Sequence, residues 1–365
     1  NIAHIDAIPQ HILKSGLGWL IRSAGYDVAY AGKVHLPKMA PGDIGFNYIC
    51  EDERNELATQ CAKFIKRDRD KPFFLVASFI NPHDICYMPI RDFASTDEDK
   101  RLIANGRTEL STLDKALRIP DTMNKKEFFD KLCPPLPPNF EPQQDEPEAI
   151  RLLQEQEPFK KLARKKYTNE RWRLYRWAYC RLTEMVYGQV GRVLDACRES
   201  GQEKNTLVVF SSDHGDMNAA HRMEHKTALY EEACRVPLFV SLPGVIPGNT
   251  SNNSLISNGL DLVPTLCEYV GTGFVVNFRR PSLSSLAEGI RSEHWRKWLP
   301  VESKFGRMIV TDKYKYVLYD SGKNREQLLD LKADSGEMRN CAHKPEYQDV
   351  LKEHQLLFSK NFGSK

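Results

Sequence analysis

Apolar residues first recur at helical spacing at Leu13, Leu17, Leu20, Ile21 and Ala24, just ahead of Gly25. Intervals of three and four place them on one face, and a glycine past the stripe is a common stop, so the spacing predicts an amphipathic helix. "YDVAYAG" (26–32) then reads as a short strand emptying into "GKVHLP", where Lys33 and His35, two apart, share one side of an extended backbone. The order repeats. A helical stretch around Leu57, Cys61, Phe64 and Ile65 precedes the apolar strand "PFFLVASFI" (72–80) and the polar loop "NPHD". A long helix carrying Trp172, Tyr175, Tyr179, Leu182, Val186, Val190, Val193 and Leu194 stops at Gly201 and feeds "TLVVF" (206–210) and then "SSDHGD". "TALYEEAC" follows as a helix and "VPLFVSL" (236–242) as a strand.

Helices alternating with near-continuous apolar strands predict an α/β fold whose mostly parallel central sheet is flanked by helices. The pattern changes after about Pro281. "RMIVTDKYKYVLYDSG" and "EQLLDL" read as short antiparallel strands and "EYQDVLKEHQLLFSK" as a closing helix, so the expected division is 1–290 for the α/β domain and 291–365 for a C-terminal α+β subdomain. Within the larger part, residues 91–166 lose the periodicity. Stretches such as "CPPLPPNFEPQQDEPE" and "KKLARKK" are expected to form a solvated, charged insertion.

Composition narrows the class. A chain of 365 residues can bury a full core, a net charge of +3 is too mild to argue for nucleic acid, and no stretch approaches the ~18 apolar residues of a membrane span. Nine scattered cysteines, with no paired C-x-x-C, indicate neither a disulfide framework nor a zinc site, and oligomeric state is left open. The chain begins at Asn1 and enters a helical pattern with no signal-like segment ahead of it, so it is expected to lack its true N-terminus.

In parallel sheets ligands sit beyond the carboxyl ends of the strands. That rule gathers Lys33, His35, His83, Asp213, His214 and Lys226 at one rim. Asp213 and His214 offer oxygen and imidazole donors to a divalent ion, Ca²⁺, Mg²⁺ or Mn²⁺, although a capping aspartate beside a surface histidine is an equal alternative for the pair alone. Lys33 and Lys226 suit an oxyanion, and His35 and His83 can donate or accept a proton; taken singly, each is more often an ordinary surface side chain. As an ordered set they are equipped to transfer a tetrahedral oxyanion. A nucleophile is missing.

"AGYDVAYAGKVHLP" resembles the sulfatase segment G-Y-x-T-x-x-x-G-K-W-H, with Val34 where tryptophan is usual. "NPHD" resembles that family's histidine loop, and "SSDHGDMNAAHRMEHKTALYEEACRVPLFVSLPG" its second metal motif and following lysine. "LISNGLDLVPTLCEYVG" is similar to its D-x-x-P-T-L stretch and "EQLLDLKADSGEMRNCA" to its C-terminal motif. The resemblance implies a type I sulfatase of the alkaline phosphatase superfamily, hydrolysing sulfate esters with Ca²⁺ and a formylglycine made from Cys or Ser in C/S-x-P-x-R. It implies that Asp213 and His214 are metal ligands and that Lys33 bridges formylglycine and sulfate. His35 would assist breakdown of the sulfated intermediate, and His83 and Lys226 would stand near the ester oxygen. No C/S-x-P-x-R occurs in the chain, and the first two metal aspartates are absent before Lys33, so the chain alone is expected to be inactive and to belong to an active parent. A carbohydrate sulfate is the expected substrate, and a periplasmic or secreted location follows from the resemblance only. The alternatives are a phosphatase or phosphonate monoester hydrolase of the same superfamily, or an inactive relative that binds sulfated glycan.

Overall fold

The computed structural model describes residues 8–36, 38–272, 282–290 and 295–363. Its contacts divide the chain into two interleaved units. One comprises Asn1–Asn81, Thr183–Phe210 and Leu238–Trp295; the other comprises Pro82–Leu182, Ser211–Pro237 and Arg296–Lys365. The expected boundary at 290/291 borders on residues outside the described set.

In the first unit, β1 (Asp27–Gly32), β2 (Asn47–Cys50) and β3 (Phe73–Ser78) form a parallel sheet in the order β2-β1-β3. Val28 and Tyr30 of β1 join Ile21 and Phe46 in one apolar cluster, while Ala31 joins Leu57 and Cys61 in another. Successive residues of a strand point to opposite faces, so two helices, Leu17–Ser23 and Leu57–Ile65, cover the two sides. The first predicted helix is two short ones, Gln10–Lys14 and Leu17–Ser23. The break falls at Gly16, where a Cβ would lie 2.8 Å from that of Ile44.

The sheet differs from the expectation of a single, mostly parallel one. β4 (Val208–Ser211) and β5 (Leu238–Ser241) form a hydrogen-bonded pair of their own. Their apolar runs predict strands covered on both faces, yet Phe210 and Phe239 stay exposed and lie tilted against each other with centroids 6.0 Å apart.

The second unit corrects the solvated insertion. Residues 91–166 are mostly helical, with Asp97–Asn105, Arg107–Leu117, Lys125–Lys131, Glu148–Glu155 and Pro158–Lys166 in sequence. Thr96 and Asn124 cap two of these helices, each accepting the N–H three residues on. Their apolar residues are sparse but correctly spaced: Ile150 and Leu153 enter a core with Met217, Met223, Leu229 and Tyr230.

That core is closed by the expected antiparallel sheet, which also takes in a strand ahead of the quoted stretches: β6 (Leu299–Ser303), β7 (Gly306–Val310), β8 (Tyr314–Tyr319) and β9 (Glu326–Asp330), paired in order. Met308, Val317 and Tyr319 face this core. The alternate residues Ile309, Tyr316 and Leu328 face Leu351 and Phe358 of the closing helix Gln348–Phe362.

Candidate active site

The first unit carries Lys33 and His35. β1 ends at Gly32, whose φ of +90° and close approach to the Leu57 side chain and the Ser78 carbonyl leave no room for a Cβ. Lys33 donates its N–H to Ser78 O at 2.7 Å and accepts from the Tyr30 hydroxyl at 2.5 Å, which fixes its backbone at the end of the strand. His35 lies exposed in the irregular segment that follows.

The second unit brings together His83, His214 and Lys226, which are 143 positions apart at the extremes. All three lie within electrostatic reach of His225. Burial holds this imidazole well below the usual histidine range, and electrostatic contributions from Lys160, Lys226, His83 and His214 act in the same direction. Its ring lies against Phe159, with centroids 5.8 Å apart, and its Nδ1 faces the buried carboxylate of Glu224. Exposed His83 opens a short helical turn, His83–Cys86, and its Nδ1 lies 4.0 Å from the Cys86 thiol. Burial pushes that thiol up to about 12, Asp84 adds to the effect, and Lys226 opposes it.

Asp213 and His214 follow β4 directly. The Asp213 side chain is 85% exposed, and its Oδ2 lies 3.4 Å from Nε2 of His214. Nδ1 of His214 is 2.7 Å from the Gly215 carbonyl. A carbonyl oxygen can only accept, so Nδ1 carries a proton, and Nε2 is the nitrogen that would face an ion. An oxygen and a nitrogen this close can both reach one ion at the ~2.3 to 2.6 Å of a Ca²⁺ shell, and the pair therefore fits two positions of such a site. Among the described residues no three His, Cys, Asp or Glu side chains converge to hold a metal. Gly215 is dictated by packing: its N–H donates to Ala233 O at 2.9 Å, and a Cβ would overlap the Glu232 carbonyl.

Two groups in this cluster carry no distinctive sequence signal. Asp216 is part-buried, and desolvation raises its carboxyl to about 7 despite hydrogen bonds from the Asn218 N–H at 2.8 Å and the Tyr175 hydroxyl at 3.2 Å. Tyr175 reads as one more apolar position of the long helix Asn169–Glu199, because periodicity registers the ring and not the hydroxyl. Asp216 stands in the same dense stretch as Asp213, where the second acidic residue could have been singled out.

The loop carrying Lys226 is strained. Asn218, Ala219, His221, Arg222, His225 and Thr227 all have left-handed backbones, with φ between 44° and 92°. Each such conformation costs about 1 to 2 kcal/mol for a residue with a Cβ. It persists only where the surroundings over-determine it, and such strain clusters at functional sites.

A family model described as Sulfatase matches residues 6–272, and one described as N-sulphoglucosamine sulphohydrolase, C-terminal, matches residues 219–361. The chain belongs to the sulfatase family, within the alkaline phosphatase-like superfamily. It is 29% identical over 367 residues to the Delta 4,5-hexuronate-2-O-sulfatase of Bacteroides thetaiotaomicron, covering 93% of this chain and 70% of that protein. It is 33% identical over 169 residues to an arylsulfatase of Clostridium perfringens, covering 45% of this chain and 35% of that one. Among solved structures, a 2-O GAG sulfatase superposes with a TM-score of 0.75 at 25% identity, over 94% of this chain and 73% of the other. The phosphonate monoester hydrolase of Agrobacterium radiobacter superposes at 0.64 with 18% identity, over 95% and 80%, a likeness of fold alone.

Proposed function

We propose that this chain forms the substrate-binding and proton-transferring part of a sulfuric ester hydrolase acting on a sulfated carbohydrate. The observation that carries the reading is that His83, His214 and Lys226 all lie within electrostatic reach of His225, in a strained loop, in a chain of the sulfatase family. Sulfate is a tetrahedral anion, and Lys226 and Lys33 are suited to neutralise its peripheral oxygens. His83 protonates the leaving alcohol, and His35 takes part in clearing the sulfated form. Asp213 and His214 would hold two positions of a Ca²⁺ site, where the ion would polarise a sulfate oxygen; the carboxylate also suits Mg²⁺ or Mn²⁺, and the imidazole widens the range towards transition metals. Formylglycine is the expected nucleophile of such an enzyme, and none of the 365 residues stands in a C/S-x-P-x-R context. Support for a carbohydrate substrate comes from the hexuronate sulfatase relative.

The test is made on the full-length protein with a sugar sulfate, an aryl sulfate and an aryl phosphate. Sulfate esters should be cleaved in preference to the phosphate. A sugar alkoxide is a poor leaving group and needs a proton, whereas nitrophenolate does not, so His83→Ala should slow the sugar sulfate about 10²- to 10⁴-fold and the aryl sulfate far less. Equal losses on both would remove His83 from the acid role. A preference for phosphate would favour the phosphatase alternative, and tight sulfated-glycan binding without turnover would favour the binding one.

A further inference from the structure

The C-terminal motif takes no part in the chemistry proposed above, yet its Glu337 is buried in an ion cluster with Lys315 of β8. Lys315 is fully buried. Its Nζ donates to the carbonyl of Leu229 at 3.2 Å and forms ion pairs at 2.7 Å with Oε1 of Glu231 and at 2.7 Å with Oε1 of Glu337. The other oxygen of Glu337 accepts the Glu231 N–H at 2.6 Å. Two neighbouring bonds act on the same segment. The Tyr230 hydroxyl donates at 3.0 Å to Gln143, whose side-chain oxygen also accepts from Gln327 of β9 at 2.8 Å. Ser303, at the end of β6, donates to the Thr227 carbonyl at 3.3 Å. Residues 227, 229, 230 and 231 are thus each tied down, one to five positions beyond Lys226.

A buried ion cluster is weak evidence for stability, since apolar replacements often do as well; its better-attested use is to select one conformation. Here the conformation in need of selection is adjacent: the six left-handed residues between Asn218 and Thr227. We propose that Lys315, with Glu337 and Glu231, is a positioning residue that locks this loop so that Lys226 stands in the site, and that turnover depends on Lys315 through Lys226. The proposal rests on the reading of Lys226 as a sulfate-binding group.

Two measurements on the full-length protein separate the two ideas. Glu231→Gln keeps the side-chain shape at a partly exposed position and is the conservative variant, while Lys315→Met removes the cation. Each should lower kcat on an aryl sulfate about 10- to 100-fold, as displaced reacting groups do, with KM little changed. Combined with Lys226→Ala, either should cost no more than about twofold beyond Lys226→Ala itself, because coupled sites are not additive. Hydrogen exchange should show amides 217–231 losing protection in both variants while β7 and β8 keep theirs. Full multiplicative losses in the Lys226→Ala background, or protection lost evenly across β7, β8 and the loop, would overturn the proposal. Should Lys315→Met fail to fold, Glu231→Gln decides by the same readouts. A Lys226→Ala protein as active as the wild type would instead overturn the reading of Lys226, and the positioning claim with it, with the exchange pattern unchanged.

Discussion

At the scale of single residues, the candidate site is a contest between burial and charge. Asp216 shows it most clearly. An aspartate in the unfolded chain gives up its proton near 3.8, whereas the folded one holds it to about 7 because desolvation outweighs the donors around it. Between those values the folded state carries a proton that the unfolded state lacks. Its contribution to stability is therefore full below about pH 4 and is lost as pH rises towards 7. Allowing for partial exposure, the contribution is on the order of 2 kcal/mol. Asp216→Asn keeps an acceptor for Tyr175 and Asn218 but does not titrate. With a chelator present to exclude metal effects, the Tm of wild type minus that of Asp216→Asn should shrink by several degrees between pH 4.5 and 7.5. A difference that stays constant would show that Asp216 ionises normally.

At the scale of elements, the legible parts are those in which one period dominates. β1, β3 and the helix Leu57–Ile65 lie within a residue or two of expectation, since alternation or an apolar stripe runs their whole length. Residues 91–166 read as solvated because their helices are narrow-faced: Glu148–Glu155 buries Ala149, Ile150, Leu153 and Gln154 while its other residues are charged or polar apart from Leu152. Charge density there signals solvent, whereas the capping residues Thr96 and Asn124 signal helix starts. The site divides in the same way. Asp213, His214 and His83 follow strands and could be placed by topology, whereas the left-handed loop around His225 arises from contacts distant in sequence that no local pattern encodes. If residues 91–166 are structural, Ile150→Ala should destabilise the protein by about 2 to 5 kcal/mol, as a deep core truncation does. Denaturant titration would show it as a lower midpoint with an unchanged slope. A loss under about 0.5 kcal/mol, the usual effect of a surface change, would restore the insertion reading.

At the scale of the whole chain, the antiparallel sheet does not behave as an appendage, and this decides what truncation should do. Met308, Val317 and Tyr319 share one core with Ile150, Met217, Leu229 and Tyr230, all of them almost fully buried. Burial of each large apolar side chain is worth roughly 1.5 to 3 kcal/mol, so losing three removes about as much as the lower end of a domain's net stability of ~5 to 15 kcal/mol. Removal of Lys315 adds a second cost, because Glu231 loses its cation and Leu229 O its donor. A chain ending at Ile290 should therefore lose near-UV circular dichroism and cooperative melting, and residues 211–237 should become the first site of limited proteolysis. If that chain instead melted cooperatively with residues 211–237 still protected, the sheet would be dispensable, and the anchoring of Lys226 by Lys315 would fall with it.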